Sequence, residues 1–319
     1  MKNMNEAYDE QLFKPQYPAE LYTRRPNHTA ILSPLYDSTF KAIFTQETED
    51  SKLALKGFIS AVFEREISRV ELKNNEPPTE SKKQKKMSFD VSVEFDDGEI
   101  ADIELQARNQ NYDFGIRAEI QAARLLTNNA KKGKKWDSPK VYQISVLNFH
   151  YKKDDKQEMR WYTMRDEVGE ILTQRLNVIF IDLVTIRKKF GSPVEELKPI
   201  EKWGLFFSFV DKKVKADYVK NLVRSEKGIM AANTIVKKMS KADSNWYVQN
   251  SRYIAECDYN TIKANAKKQG LEEGLAEGQQ QKAIENALNF LKMNVLTEEQ
   301  IAQGTGLPLE TVKKLAKKV

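Results

Sequence analysis

The amino-acid sequence predicts an α/β fold: a mixed central sheet flanked by helices, with an all-helical C-terminal extension. Three observations predict it. Residues 87–108, MSFDVSVEFDDGEIADIELQAR, alternate apolar and polar side chains on both sides of a turn, the period-two pattern of a β-hairpin. Two apolar runs, VYQISVLNF at 141–149 and LNVIFIDLV at 176–184, read as buried strands, and a helical stretch at 112–126 stands before the first of them, as the crossover that a parallel strand pair needs. From Glu195 onward no convincing strand pattern remains and apolar residues recur at helical spacing.

Taken in order, residues 1 to about 30 are polar with scattered Pro15, Pro18 and Pro26, an extended arm. Residues 36–46 read as a short helix in which Asp37 and Lys41, four apart, share a face. Residues 50–64 are a second amphipathic helix, carrying Leu55, Phe58, Ile59 and Val62. A strand at 68–72 precedes the loop 74–86, with Pro77-Pro78 and the basic residues Lys82, Lys83, Lys85 and Lys86. Four lysines there suit a nucleic-acid backbone, or simply a solvated loop.

In the hairpin, Asp96-Asp97-Gly98 suits a three-residue loop with Gly98 left-handed. Phe95 then faces Glu99 and, counting back, Asp90 faces Glu104. This register keeps the apolar sides of both strands together; a two-residue loop would oppose apolar to polar residues. Opposed side chains have Cβ atoms roughly 4.5–5.5 Å apart, so two carboxylates there repel unless a proton or cation intervenes. Asp102 and Glu94 add negative charge to the same face. A hard divalent cation would offset the repulsion, and Gln106 follows two residues past Glu104 on that face. The same pattern also describes the wetted face of an antiparallel sheet.

On the 112–126 helix, Arg117, Gln121 and Arg124 fall on one stripe, and a basic cluster including Lys134 and Lys135 follows. The segment 158–164 reads as an antiparallel edge strand. Beyond 199, Trp203, Leu205, Phe206, Phe209 and Val210 mark one helix whose aromatic stripe reads as core, and 218–239 and 245–262 mark two more. Gly270, Gly274 and Gly278 recur every four residues, a groove suited to a second backbone or a flexible linker. Helices at 283–293, from Thr297, and at 309–318 close the chain with a turn at 304–308, resembling a helix-turn-helix or serving as a packing element.

Composition sets limits. The 319 residues are 40% hydrophobic and 31% charged with net charge +6, which permits a polyanionic partner without demanding one. The single Cys257 excludes an internal disulfide and a cysteine-rich zinc site, and His28 and His150 alone argue against histidine-based zinc or triad chemistry. No apolar run approaches about 18 residues and no secretory pattern opens the chain, so a cytoplasmic protein without a membrane span is expected.

Asp90, the hairpin and Glu104-Leu105-Gln106 resemble the core of the PD-(D/E)XK nuclease superfamily. The upstream segment from Asp37 through Phe40-Lys41 to Phe44 sharpens this to a resemblance to its recombination-promoting nuclease and transposase family, over roughly residues 31–190. The resemblance implies a restriction-endonuclease-like core and a Mg²⁺- or Mn²⁺-dependent DNA endonuclease, transposase-like in role. It implies Asp90, Glu104 and the Leu105 carbonyl on the metal, Asp37 contributing to the metal site directly or through water, Gln106 in the catalytic set, Lys41 substituting for the superfamily lysine that Gln106 replaces, and Arg117 near the scissile phosphate. DNA contacts are expected from Lys82, Lys83, Lys85, Lys86, Lys134 and Lys135. The expected layout is an arm at 1–30, a nuclease-like domain at 31–195, a helical extension at 196–266, and, at 267–319, a glycine-striped helix and helix-turn-helix-like tail that join copies into a homo-oligomer. The alternative is an oligomeric DNA-binding protein made inactive by loss of the lysine.

Overall fold

A computed structural model of the protein describes residues 28–74, 89–96, 98–107, 114–130, 137–152 and 156–317, the side chains of 214 and 250–259 excepted. Most of the N-terminal arm, Lys82, Lys83, Lys85, Lys86, Lys134 and Lys135 lie outside these residues. The chain divides into two compact units, Met1–Asn250 and Ser251–Val319.

The first unit is built on six strands: β1 Val70–Leu72, β2 Val91–Phe95, β3 Glu99–Gln106, β4 Val141–Leu147, β5 Met159–Thr163 and β6 Leu176–Asp182. Their order across the sheet is β1-β2-β3-β4-β6-β5. β3, β4 and β6 run parallel, whereas β1, β2 and β5 pair antiparallel at the flanks. The predicted register holds: Phe95 pairs with Glu99 and Val91 with Ile103. Gly98 is left-handed at φ +86°. So is Asp96, at φ +44°, and its side chain explains why a non-glycine residue tolerates it. Its carboxylate accepts from Ser68 N (2.7 Å) and Oγ (2.9 Å) and from Arg65. Against a burial cost, these bonds pull its pKa down to about 2.

The helices are α1 Asp37–Thr45, α2 Glu49–Phe63, α3 Phe114–Asn128, α4 Leu183–Arg187, α5 Pro199–Phe209, α6 Ala216–Ser225 and α7 Lys227–Met239. α4 is not expected from the sequence, where Leu183 and Val184 read as the end of a strand. That strand stops at Asp182, whose side chain caps the helix by accepting from Thr185 N at 2.9 Å. The stretch read as one helix over 218–239 is two, because Glu226 is extended (φ −138°, ψ 126°). No proline marks that break, and the nearest glycine, Gly228, lies within α7 rather than at the break. α1, α2, α5 and α7 share one core with the sheet face bearing Val91, Val93, Ile103 and Leu105. Phe40, Phe44, Phe58, Trp203 and Phe207 meet there ring to ring at 5.2–6.4 Å, so the aromatic stripe is core, as expected. α2 and α7 cross backbone against backbone at Gly57 and Gly228. α3 covers the opposite sheet face through Phe114, Ala118 and Ala122, packed with Leu147, Val178 and Phe180.

α8 runs unbroken over Asp243–Met293, joining the stretches read as separate helices at 245–262 and 283–293. In the second unit α9 Glu298–Thr305 and α10 Leu309–Ala316 close a small core of Ala287, Ile301, Leu307 and Val312. Thr297 caps α9 by accepting from Gln300 N at 3.3 Å, and Gly306 ends it at φ +72°. Among the described residues no helix is long and apolar enough to cross a membrane.

Candidate active site

β3 sets the site. Its even positions Asp102, Glu104 and Gln106 point to one face, and that face is not wet: Asp102 is 0% exposed, Glu104 2% and Gln106 8%. The wetted-face reading fails because α3 lies over this side of the sheet. Next to them on β4, Gln143 is the register partner of Asp102 and Ser145 of Glu104, and both are fully buried. A polar seam thus runs under α3.

Asp90 stands one residue before β2, and the register continued from Val91–Ile103 puts it opposite Glu104, as the turn chemistry predicted. Its backbone N–H donates to Asp102 Oδ1 at 3.1 Å, so a third carboxylate fixes the chain at Asp90. That role was not read from the sequence, where Asp102 counted only as charge. Its one sequence signal is the alternation of acids at 102 and 104.

Three side chains from outside the hairpin converge. α1 presents Lys41, whose Nζ lies 2.8 Å from Asp90 Oδ1 and 3.1 Å from Asp37 Oδ1. Lys41 therefore bridges two carboxylates, and Asp37 reaches the site through it. α3 presents Arg117, which donates to Glu104 Oε1 and is not a purely solvent-facing arginine. One helical turn on, Gln121 is buried beside Glu104, a neighbour that the stripe on α3 hinted at without assigning. Gln106 Nε2 donates to the same Glu104 oxygen as Arg117. Leu105 turns its side chain into the main core, leaving only its backbone for this face.

The electrostatics follow from burial. Burial pushes the Glu104 carboxyl up, Arg117 opposes this, and Asp90 adds repulsion. Burial raises Asp90 too, with Lys41 pulling back. Asp102 is raised as well, by complete burial first and then by Glu104. Burial works against the Lys41 cation, but Asp90 and then Asp37 outweigh it and raise its pKa, so it stays charged at neutral pH.

Glu104 Oε2, Asp102 Oδ2, Gln121 Oε1, Ser145 Oγ and both amide atoms of Gln143 are buried without a hydrogen-bond partner of normal geometry. Gln143 lies against Asp102 and steadies its charge, yet makes no well-formed bond. Each such group costs about 1–3 kcal/mol. A fold that retains this cluster gives up stability in one place, and sites of function are where that is expected. Among the described residues, no group of three or more His, Cys, Asp and Glu forms a ready metal cage. Asp90 and Glu104, mutually repelling and with Glu104 Oε2 unpartnered, are a donor set that fits one hard divalent cation.

The site lies toward the carboxyl ends of the parallel strands, where α/β sheets place ligands. Asn148 N donates to Gln106 O at 2.9 Å, Arg187 grips Asn148 Oδ1 through both terminal nitrogens, and His150 Nδ1 meets Asp182 Oδ2 at 2.7 Å. Neither a curated protein nor a solved structure matches the chain. The family model described as PD-(D/E)XK nuclease family transposase matches residues 34–266, from just before α1 into α8. With the mixed six-stranded sheet, its flanking helices and the acidic hairpin all inside that span, the chain belongs to the PD-(D/E)XK nuclease family transposases.

Proposed function

We propose that the protein is a divalent-metal-dependent DNA endonuclease, using Mg²⁺ or Mn²⁺, with a transposase-like role in strand breakage. The observation that carries this reading is the pair Asp90 and Glu104: opposed in register, desolvated, and with Glu104 Oε2 unpartnered. Asp90, Glu104 and the Leu105 carbonyl would hold the metal. When bound, such an ion lowers the pKa of water and neutralises charge developing on the phosphate.

The chain's own groups do the rest. Gln106 and Arg117 hold Glu104 Oε1, which leaves Oε2 as the carboxylate's remaining donor. Lys41 orients Asp90 and supplies the positive charge that most of the superfamily takes from the position of Gln106. Asp37 tethers Lys41. Arg117, more than a third exposed at its side chain, is suited to meet a phosphate oxygen. Plasmid nicking tests the reading: supercoiled DNA should be cut by the wild type with Mg²⁺, and neither in EDTA nor by Asp90→Asn. Undiminished cutting by Asp90→Asn removes the proposal.

The second reading, a DNA-binding protein without turnover, is favoured by one feature, the neutral Gln106. Lys41 answers it. Lys41→Met should lower the cleavage rate about 10²-fold, the scale of one electrostatic stabiliser, while Gln106→Lys changes it less than tenfold. Activity gained only with Gln106→Lys would favour the inactive reading.

We further infer that copies associate through the C-terminal helices. Gly270, Gly274 and Gly278 have open space where a Cβ would stand, and Ile262, Leu271 and Leu275 on the same helix are exposed. Sedimentation should give a dimer for the full chain and a monomer for a chain ending before Gly270.

A further inference from the structure

A second feature of the first unit lies outside the acidic site. A cleft of about 860 Å³ is lined by α6, α7 and the segments beside them. α6 contributes Lys220 and Arg224, one helical turn apart; α7 contributes Lys237, with Lys241 one turn further on, just past its end; Lys212 and Lys213 come from the turn before α6. Against six cations the lining has a single carboxylate, Asp211, which Lys212 already holds at 2.8 Å. Lys220 pairs with Asp217, outside the lining. Lys213, Arg224, Lys237 and Lys241 are exposed, and no salt bridge is found for them among the described residues.

Helices ordinarily intersperse both signs of charge on solvated faces. Two helices that turn like charges into one concavity accept repulsion, which a bound polyanion relieves. The spacing of one helical turn between cations on each helix suits successive phosphates rather than a single anion. The lining has no Phe, Tyr or Trp, so base stacking, the mode of single-strand grooves, is not what it offers. It offers charge and hydrogen-bond donors such as Asn233, the means by which proteins hold a duplex backbone without reading its sequence.

We propose that the α6–α7 cleft binds the phosphodiester backbone of double-stranded DNA, a contact separate from the acidic hairpin. The inference takes its ligand class from the nuclease reading but not its chemistry. A cleft of this kind would add affinity uniformly across sequences and leave the choice of scissile bond to the hairpin.

The test is anisotropy of a fluorescein-labelled 30-base-pair duplex with the full chain in EDTA, over a NaCl series, so that cutting plays no part. Each phosphate contact contributes about 0.9 to the slope of log K against log salt. In the combined Lys213→Ala, Arg224→Ala, Lys237→Ala, Lys241→Ala variant, loss of at least two contacts lowers the slope by about 1.8. It weakens Kd about sixty-fold at 0.1 M salt. A companion variant with the three lysines changed to arginine should bind like the wild type, which separates lost charge from lost fold. A wild-type slope in the alanine variant, or no duplex binding by the wild type, overturns the proposal. So does an alanine variant that keeps duplex binding and loses binding to polyglutamate, which would make this an acidic-protein site. Duplex binding lost in the alanine variant, with no cutting by the wild type in Mg²⁺, would sustain the cleft and sink the nuclease.

Discussion

Glu104→Gln is expected to lower metal-dependent DNA cleavage by at least about 10²–10³-fold, the loss that follows removal of one strong electrostatic stabiliser, while the fold survives. The amide matches the carboxylate in shape, so the seam under α3 keeps its packing. It lacks the charge that would bind a cation together with Asp90. Stability should respond in the opposite direction, and with a definite sign. Burial and the repulsion of Asp90 hold the Glu104 pKa above its ordinary value despite Arg117. The folded protein then binds this proton more tightly than the unfolded chain does. Stability from this group is therefore highest at and below the ordinary glutamate range, and is lost as pH rises through the elevated value, by about 1.4 kcal/mol for each unit of elevation. Asp90 and Asp102 are raised as well and contribute the same sign. Thermal melts in EDTA should show Glu104→Gln losing less stability than wild type between pH 4 and 8. Undiminished cutting by the variant would sink the mechanism; an unchanged pH slope would sink the electrostatic account of the pair.

The largest expected effect on stability lies elsewhere. A Cβ at Gly57 would stand 2.9 Å from Gly228 Cα, and one at Gly228 would stand 2.9 Å from Gly57 Cα, 3.1 Å from Trp203 Cζ2 and 3.2 Å from the Leu53 carbonyl. These partners are backbone and a buried indole, none of which can swing aside. Gly57→Val must push α2 and α7 apart and open the aromatic cluster around Phe58 and Trp203. A cost of about 3 kcal/mol or more is expected, at the upper end for overpacking. For a unit of this size that lowers Tm by roughly 6–12 °C. Gly270→Ala is the contrast within one copy: its Cβ meets nothing in the chain itself, so any loss of stability it causes arises where copies associate. A wild-type melting temperature for Gly57→Val would show that the two helices are not in backbone contact.

The hairpin was legible because its rules are local. Alternation set the two faces, Asp-Asp-Gly set the loop, and together they opposed Asp90 to Glu104 before any fold was known. The burial of that face was not legible. Whether the side with Asp102 and Glu104 meets water or a helix depends on where α3 lands, and α3 is held by Leu147, Val178 and Phe180 from strands far along the chain. For the same reason the Lys41–Asp90 bridge was invisible: sequence spacing showed Lys41 with Asp37, four residues off, and could not show Asp90 at 2.8 Å. The glycine-striped stretch is helical, as expected, but the break at Glu226 and the joining of 245–262 to 283–293 were not legible, because a lone extended residue carries no signature and isolated glycine only weakens a helix.

The meeting of Gly57 with Gly228 also bears on how the protein is made. Its two halves are 171 positions apart in the chain, and Trp203, Phe206 and Phe207, which complete the core over one sheet face, arrive after every strand has been synthesised. At roughly 5–20 residues per second, the ribosome needs some seconds beyond β6 to deliver α5 to α7. During that interval the nascent sheet has its acidic hairpin but lacks the helices that finish one of its two sides. Chaperone dependence should therefore concentrate in this window, and a ribosome stalled just past β6 would hold a chain with Asp90, Asp102 and Glu104 in place and no finished scaffold to align them.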